Sequence, residues 1–353
     1  TVFKQNASSI ATYSGRTWLA DKRNLYYSAP STYNDFGSTT AGVQTFTDET
    51  LHSNITAIES ANQYLYVFGI DSINVIGDVR VTGTPAVTVF TNTNITASIG
   101  SSNIYSVYPY YRSIMFMNRY GMYSVTGATT TKISDALDGI FESIDFTKPI
   151  SGGQALINNI LCAAFQFTYS GRVIQAVFFD RKWFITSQGA TTFKSMAGVQ
   201  SSGKPNAYAV DDTKLYQLYS NNAANIATTV KTALWPMGDP IRDKQALKIG
   251  VEATFANSVG DLSITVDSEN QTAQITGLSA ATNQVNWTNL ALTVIPWVNN
   301  SNATVVWFTS NSFQLYKADA EMWGKYLGMT VTSNTPQFTI NGLFTEHEMR
   351  ARF

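Results

Sequence analysis

The chain has 353 residues and a formal net charge of −1, with 13% charged and 13% aromatic side chains. So many aromatics exclude a disordered chain, and the near-neutral balance excludes a protein that grips nucleic acid through a general basic field. Cys162 is the only cysteine, which excludes an intramolecular disulfide and reads as a small core residue within the run 160–165.

Hairpin signals begin early. Residues 16–20 and 25–28 are short apolar runs joined by 21–24, and a loop with Pro30 and the pair Asn34-Asp35 follows. Residues 49–92 hold a second unit, with 64–69 and 73–77 as central strands and 79–90 as further strand interrupted by Gly83 and Pro85. In the third unit, 93–145, the runs 113–117 and 122–125 flank a turn carrying Asn118 and Gly121, which tolerate the backbone angles of a hairpin. Its tail places Ile133, Leu137, Ile140, Phe141 and Ile144 at helical spacing, predicting one short helix with Ser134 as its N-cap. A fourth unit, 146–198, carries 161–165, 173–179 and the strand–turn–strand run 178–185. A fifth, 199–235, carries 207–210 and 215–219 around Asp211-Asp212. Centred on Trp18, Leu65, Met115, Ala163 and Tyr208, the units are spaced by 47, 50, 48 and 45 residues. All-strand repeats of about 40–50 residues predict a β-propeller, one repeat per four-stranded blade.

Pro236, Gly238 and Pro240 break this pattern. The expectation is therefore an all-β chain, with a β-propeller of about five blades over 1–238 and a β-sandwich-like domain over 239–353. In the second domain 246–255 and 262–266 read as strands joined by a turn at 257–261, followed by strands at 294–298, 305–309 and 326–332. The final run, 346–353, alternates. Met349, Ala351 and Phe353 fall on one side; Glu346, Glu348, Arg350 and Arg352 fall on the other. That row of two acids and two bases is the candidate interface, able to pair with a neighbouring chain and fix its register. A solvated strand face is the plainer reading.

Constellations for chemistry are sparse. His52 and His347 lie in different predicted domains, and neither has a second strong ligand beside it in sequence. Spaced Asp/Asn calcium loops and Gly-rich phosphate loops do not occur. Asp211-Asp212 reads as a turn pair. Asp71, Asp78, Asp180, Asp211 and Glu269 are the carboxylates that a glycosidase would have to bring together around a sugar bond. Tyr105, Tyr108, Tyr110 and Tyr111 offer stacking surfaces for sugars, or simply strand core. The expectation is a non-enzyme with no cofactor and no metal. Sequons such as Asn54-Ile55-Thr56 are expected by chance in so Asn/Thr-rich a chain. No apolar run is long enough to span a bilayer, and the expectation is a chain with no membrane anchor.

Three stretches together resemble a known family. They are Arg16-Thr-Trp-Leu-Ala with Leu25-Tyr-Tyr-Ser-Ala-Pro and Asn34-Asp-Phe; Gly121-Met-Tyr-Ser-Val-Thr-Gly with Lys132-Ile-Ser-Asp-Ala-Leu-Asp; and Lys214-Leu-Tyr-Gln-Leu-Tyr with Lys231-Thr-Ala-Leu-Trp, Gly238-Asp-Pro and Asp243-Lys-Gln. The stretch from Gly324-Lys-Tyr-Leu-Gly to the C-terminus adds to them. The whole resembles the β-propeller virion proteins of tailed bacteriophages, which include the tail hub, nozzle or stopper (head–tail connector) and packaged-DNA-stabilising proteins of short-tailed phages. The resemblance implies a structural protein of the virion tail or neck, assembled in the host cytoplasm. It implies a homo-oligomeric ring, a hexamer, that extends the DNA conduit and retains packaged DNA. Portal or adaptor proteins, other tail proteins and tail fibres would be its partners, with DNA in passive contact. The alternative is a receptor- or glycan-binding propeller at a phage tail tip or cell surface.

Overall fold

A computed structural model describes residues 6–350 except 158, 188–190, 202–203, 221–226, 256–260, 280–283, 286, 292, 296, 302–303, 306, 309–313 and 335–337. The chain is all-β and divides into two compact units, Thr1–Ser220 and Asn221–Phe353.

The first unit is a succession of five antiparallel sheets, each an up-and-down meander taken in chain order. The first sheet comprises Ser9–Tyr13, Arg16–Asp21, Asn24–Tyr27 and Gly42–Thr45. The second comprises Ala57–Ala61, Tyr64–Phe68, Ile73–Thr82 and Val87–Thr96. The third comprises Tyr108–Tyr110, Ser113–Asn118, Gly121–Thr126 and Thr129–Lys132. The fourth comprises Ser151–Ile157, Ile160–Tyr169, Arg172–Phe179 and Lys182–Ser187. The fifth has three strands rather than the expected four: Ser195–Ser201, Lys204–Val210 and Leu215–Gln217. The first strand of each sheet packs against the first strand of the next.

What fixes this succession is that the inner sheets are apolar on both faces. Successive residues of a strand point to opposite faces. In Tyr64–Phe68, Leu65 and Val67 join Trp18 and Leu25 in a core between sheets one and two, while Tyr66 and Phe68 join Phe116 and Val125 between sheets two and three. Ser113–Asn118 repeats the division. Ile114 and Phe116 face sheet two, and Met115 and Met117 face Phe165 and Phe167 of sheet four. On sheet four Ala163 and Phe165 look back to sheet three, and Cys162 and Ala164 look on to Met196 and Ala209 of sheet five. This is why these runs are continuously apolar rather than alternating.

Arg16 clamps the first two sheets. Its guanidinium is buried and lies 5.7 Å from the Tyr27 ring centroid. Nη1 donates to the carbonyls of Ser28 at 2.5 Å and Thr40 at 2.7 Å, and Nη2 donates to Thr88 Oγ1 of the second sheet at 2.7 Å. Burial lowers its pKa, with Tyr27 working the other way. The expected helix after the third sheet reduces to a 3-10 turn, Asp135–Leu137, running into Asp138–Phe141. Ser134 does not cap it. Its buried Oγ accepts the Met122 N–H at 3.0 Å instead, so the hydroxyl is used to close the third sheet.

The second unit begins earlier than the expected break at 238/239. Thr228–Lys231, expected in the fifth blade, pairs with Leu327–Ser333 across the second unit. Two sheets enclose its core. One orders Thr228–Lys231, Leu327–Ser333, Asp261–Ser268 and Thr272–Ser279; the other orders Gln314–Gly324, Lys244–Phe255 and Phe338–Met349. Ile249 and Val251 meet Ile264, Val266, Met329 and Val331 between them. Thr272–Ser279 and Gln314–Gly324 are strands not expected from the sequence; of the turn expected at 257–261, residues 257–260 lie outside the described residues and Asp261 opens a strand. Lys244 is wholly buried at the entry to its strand, its Nζ donating to the carbonyls of Asp239, Arg242 and Lys325.

Replacing Arg16 removes three hydrogen bonds and leaves the Ser28 carbonyl without its side-chain donor, while the Thr40 carbonyl keeps the Thr88 hydroxyl. Arg16→Met is expected to cost about 1–3 kcal/mol in urea unfolding of the full chain. An unchanged midpoint would show that the clamp carries no stability.

Candidate functional site

Two sheet faces in the first unit remain uncovered. On the first sheet, the side chains opposite the Trp18 core are Ile10, Leu19, Tyr26 and Val43, which stand directly opposite one another in register across all four strands. Ile10 is 65% exposed and Val43 49% exposed on the outer strands, while Leu19 and Tyr26 between them are half-buried. On the fifth sheet, the side chains opposite the Met196 core include Val199, Tyr208, Val210 and Leu215, and Leu215 is 70% exposed. An exposed apolar row thus lies at each end of one succession.

The final strand sits at the edge of the three-stranded sheet of the second unit, so one side of its backbone is unpaired within that sheet. Glu346 and Glu348 are exposed, with Glu346 opposite Lys248 and Glu348 opposite Gln245 in register. Arg350 donates through Nη2 to Gln245 Oε1 at 2.8 Å, and its guanidinium lies 5.8 Å from the Trp323 ring centroid. Arg352, Ala351 and Phe353 lie outside the described residues. Regular pairing ends at Met349, which is 43% exposed instead of packed. Three of the four charges of the expected row are thus placed, and Arg350 is engaged within its own sheet.

The other sequence candidates go separate ways. His52 Nδ1 lies 3.3 Å from Asp71 Oδ2 on an exposed loop. Asp78 pairs with Arg80, and Glu269 accepts the main-chain N–H groups of Lys325 and Tyr326. Among the described residues, no three His, Cys, Asp or Glu side chains form a metal cluster. Tyr108 and Tyr110 are core residues whose hydroxyls donate to the carbonyls of Ala164 and Leu161, and burial raises the Tyr110 hydroxyl to about 12. Tyr105 and Tyr111 are exposed. Cys162 is buried in the core between sheets four and five, and burial raises its pKa. That core also holds a buried polar row. Gln166 stands opposite Ser151 and Gln175 in register, and Gln175 Oε1 accepts the Tyr219 hydroxyl at 2.6 Å.

A second exposed apolar feature went unread in the sequence. Trp287, Trp297 and Trp307 recur every ten residues, each preceded two positions earlier by Val285, Ile295 or Val305. Gln284–Val285 pairs with Trp307–Phe308, Trp287–Thr288 with Val294–Ile295, and Trp297–Val298 with Thr304–Val305. Each of the three segments therefore pairs with both others. The Trp287 and Trp297 rings lie 5.8 Å apart, 57% and 50% exposed. Leu290 projects fully from the turn between the first two segments. No charged residue occurs between Glu269 and Lys317. The ten-residue tryptophan spacing and the missing charges were the signals available.

Comparison with known proteins finds no matching family model and no matching curated protein. Two solved structures show distant likeness. PorZ, a bacterial surface component of the type-IX secretion system of Porphyromonas gingivalis, superposes with a TM-score of 0.38 at 8% identity, over 60% of this chain and 26% of PorZ. The extracellular domain of a one-component system from B. thetaiotaomicron gives a TM-score of 0.37 at 12% identity, over 70% of this chain and 31% of that one.

Asp211 offers a direct check on the fifth sheet. Its carboxylate accepts the Thr213 and Lys214 N–H groups at 2.7 Å each and the Tyr216 hydroxyl at 2.8 Å, which together hold its pKa at about 2 against an ordinary 3.8. A depressed folded-state value means that the hairpin's support is complete above the ordinary carboxylate range. It is lost as pH falls through that range towards about 2. NMR titration is expected to place the Asp211 carboxyl there. Titration at an ordinary value would show that the turn does not hold these bonds in solution.

Proposed function

We propose that the chain is a structural, ring-building component of a tailed-phage virion, in which the five sheets act as propeller-like blades left open between the first and the fifth. In this reading it is a head–tail connector, tail hub or nozzle that forms part of the DNA conduit and retains packaged DNA. The observation that carries the proposal is the pair of uncovered apolar faces at the two ends of the succession of sheets. Joining the first sheet of one copy to the fifth sheet of the next is a heterologous contact, which closes into a ring when the rotation between copies closes. The family resemblance supplies the expected hexamer and the axial position below the portal. A near-neutral chain suits a conduit that must let DNA pass. The edge strand with Glu346, Glu348 and Arg350 provides a second surface for neighbouring copies or adaptor proteins.

Exposed Tyr105 and Tyr111 favour the alternative, a glycan-binding propeller. A glycan array separates the two readings, since the structural reading expects no dose-dependent binding.

The end faces also make a sharper test. Ile10→Asp and Leu215→Asp each put a charge on an exposed row without touching a core. Both variants are expected to keep the wild-type thermal transition and to lose self-association in light scattering. Phage carrying either change would shed tails or leak DNA. Normal assembly by both variants, or cryo-microscopy placing the protein away from the head–tail axis, would overturn the proposal.

A further inference from the structure

The tryptophan tip of the second unit carries a chemistry of its own, independent of the end faces. Over residues 284–308 the described side chains are exposed and include Trp287, Leu290, Ile295, Trp297 and Val298, each at least 48% exposed. The uncharged stretch from 270 to 316 surrounds them on both sides in sequence. Exposed apolar side chains on a protein-binding surface are ordinarily rimmed by charges that set partner and register. This tip has none within its own segment.

Its backbone is also prepared for an apolar medium. A polypeptide can enter one only if its N–H and C=O groups are satisfied internally. The three segments pair with one another, as described above. At the turn carrying Leu290, Asn289 Oδ1 accepts the N–H groups of Ala291 and Thr293 at 3.0 and 2.9 Å, and the Asn289 N–H donates to the Thr293 carbonyl. At the next turn Asn299 Oδ1 accepts the Ser301 N–H at 2.9 Å. Two asparagines thus satisfy three turn N–H groups from within the turns. Tryptophan prefers the boundary between lipid headgroups and acyl chains, and leucine prefers the chains. A charge-free segment with a fully exposed leucine, two neighbouring indoles and turns braced by asparagine side chains matches a lipid surface.

We infer that residues 284–308 form a lipid-inserting tip, which seats Leu290 among acyl chains and Trp287 and Trp297 at the headgroup boundary. Insertion is shallow and reversible. Among the described residues no helix is long and apolar enough to span a bilayer. Because the tip lacks charge, binding rests on apolar burial and not on anionic lipid.

The test uses the full chain with vesicles of phosphatidylcholine alone and of phosphatidylethanolamine mixed with phosphatidylglycerol. Flotation with both is expected at low and at high salt, as is quenching of tryptophan fluorescence by lipids brominated along the acyl chain. Leu290→Asp is expected to lower the bound fraction by on the order of tenfold, and Leu290→Phe to retain binding. Failure of the wild type to float, flotation only with the anionic vesicles and reversed by salt, or absence of quenching would each overturn the inference. So would undiminished flotation of a folded Leu290→Asp variant. If Leu290→Asp instead abolishes self-association of a wild type that ignores vesicles, the tip is a contact between copies. The quenching result stands on the wild type alone, so a variant that fails to fold leaves the inference testable. None of these outcomes bears on assembly through Ile10 and Leu215.

Discussion

The first unit rests on one constraint: each inner sheet must bury both of its faces. Strands such as Tyr64–Phe68 and Ser113–Asn118 place apolar side chains on alternate sides, so no single neighbour can cover them. A sheet of this kind is stable only between two others. The succession of five sheets, and the four cores between them, follow from that requirement. Aromatic geometry adds to it. Trp18 meets Tyr27 and Phe90, and Phe116 meets both Phe68 and Tyr123, at centroid distances of 5.1 to 5.7 Å. Polar bonds then fix angles that apolar contact leaves loose. Arg16 ties the first sheet to the second, the Tyr108 hydroxyl ties the third to the fourth, and the Tyr219 hydroxyl ties the segment after the fifth back to Gln175.

The same constraint gives the proposed function its physical basis. A succession whose inner members are covered on both faces leaves one face of each end sheet without such a neighbour, in the rows through Ile10 and Leu215. The second unit follows a different rule. Its two sheets close on one core, and its exposed apolar residues include the group at 287–298 as well as Trp235 and Ile241. Phe344 lies across Gly250, where a side-chain Cβ would come within 1.8 Å of the ring, and Lys317 stands 5.7 Å from that ring. A glycine and an aromatic on adjacent strands thus make a covered outer surface on the three-stranded sheet.

The hairpins were legible because two-faced burial leaves continuous apolar runs at a regular spacing, as at Met115 and Ala163. The unit boundary was not. Thr228–Lys231 reads like any short strand, and its partner Leu327–Ser333 lies far along the chain, where no local pattern points to it. Ser134 satisfies the sequence rule for a cap, yet the Met122 N–H takes its hydroxyl, so a tertiary bond displaces a local one. The end faces could not be read at all. Trp18-Leu19-Ala20 is apolar throughout, as the inner strands are, and only the arrangement of sheets shows that Leu19 faces outward. The charged row at the C-terminus was half legible: its alternation predicted a strand, but the engagement of Arg350 by Gln245 and Trp323 depends on neighbours distant in sequence. The tryptophan tip was missed because its strands are two residues long and its ten-residue period falls below the repeat length that drew attention.

The central claim is that the two end faces are covered by neighbouring copies. Native mass spectrometry of the unmodified chain tests it most directly. The account predicts a closed assembly at a single integer multiple of the 38.7 kDa chain mass, persisting on dilution. A monomer at every concentration, with the first and fifth sheets still exchanging their amide hydrogens as exposed surfaces, would contradict it.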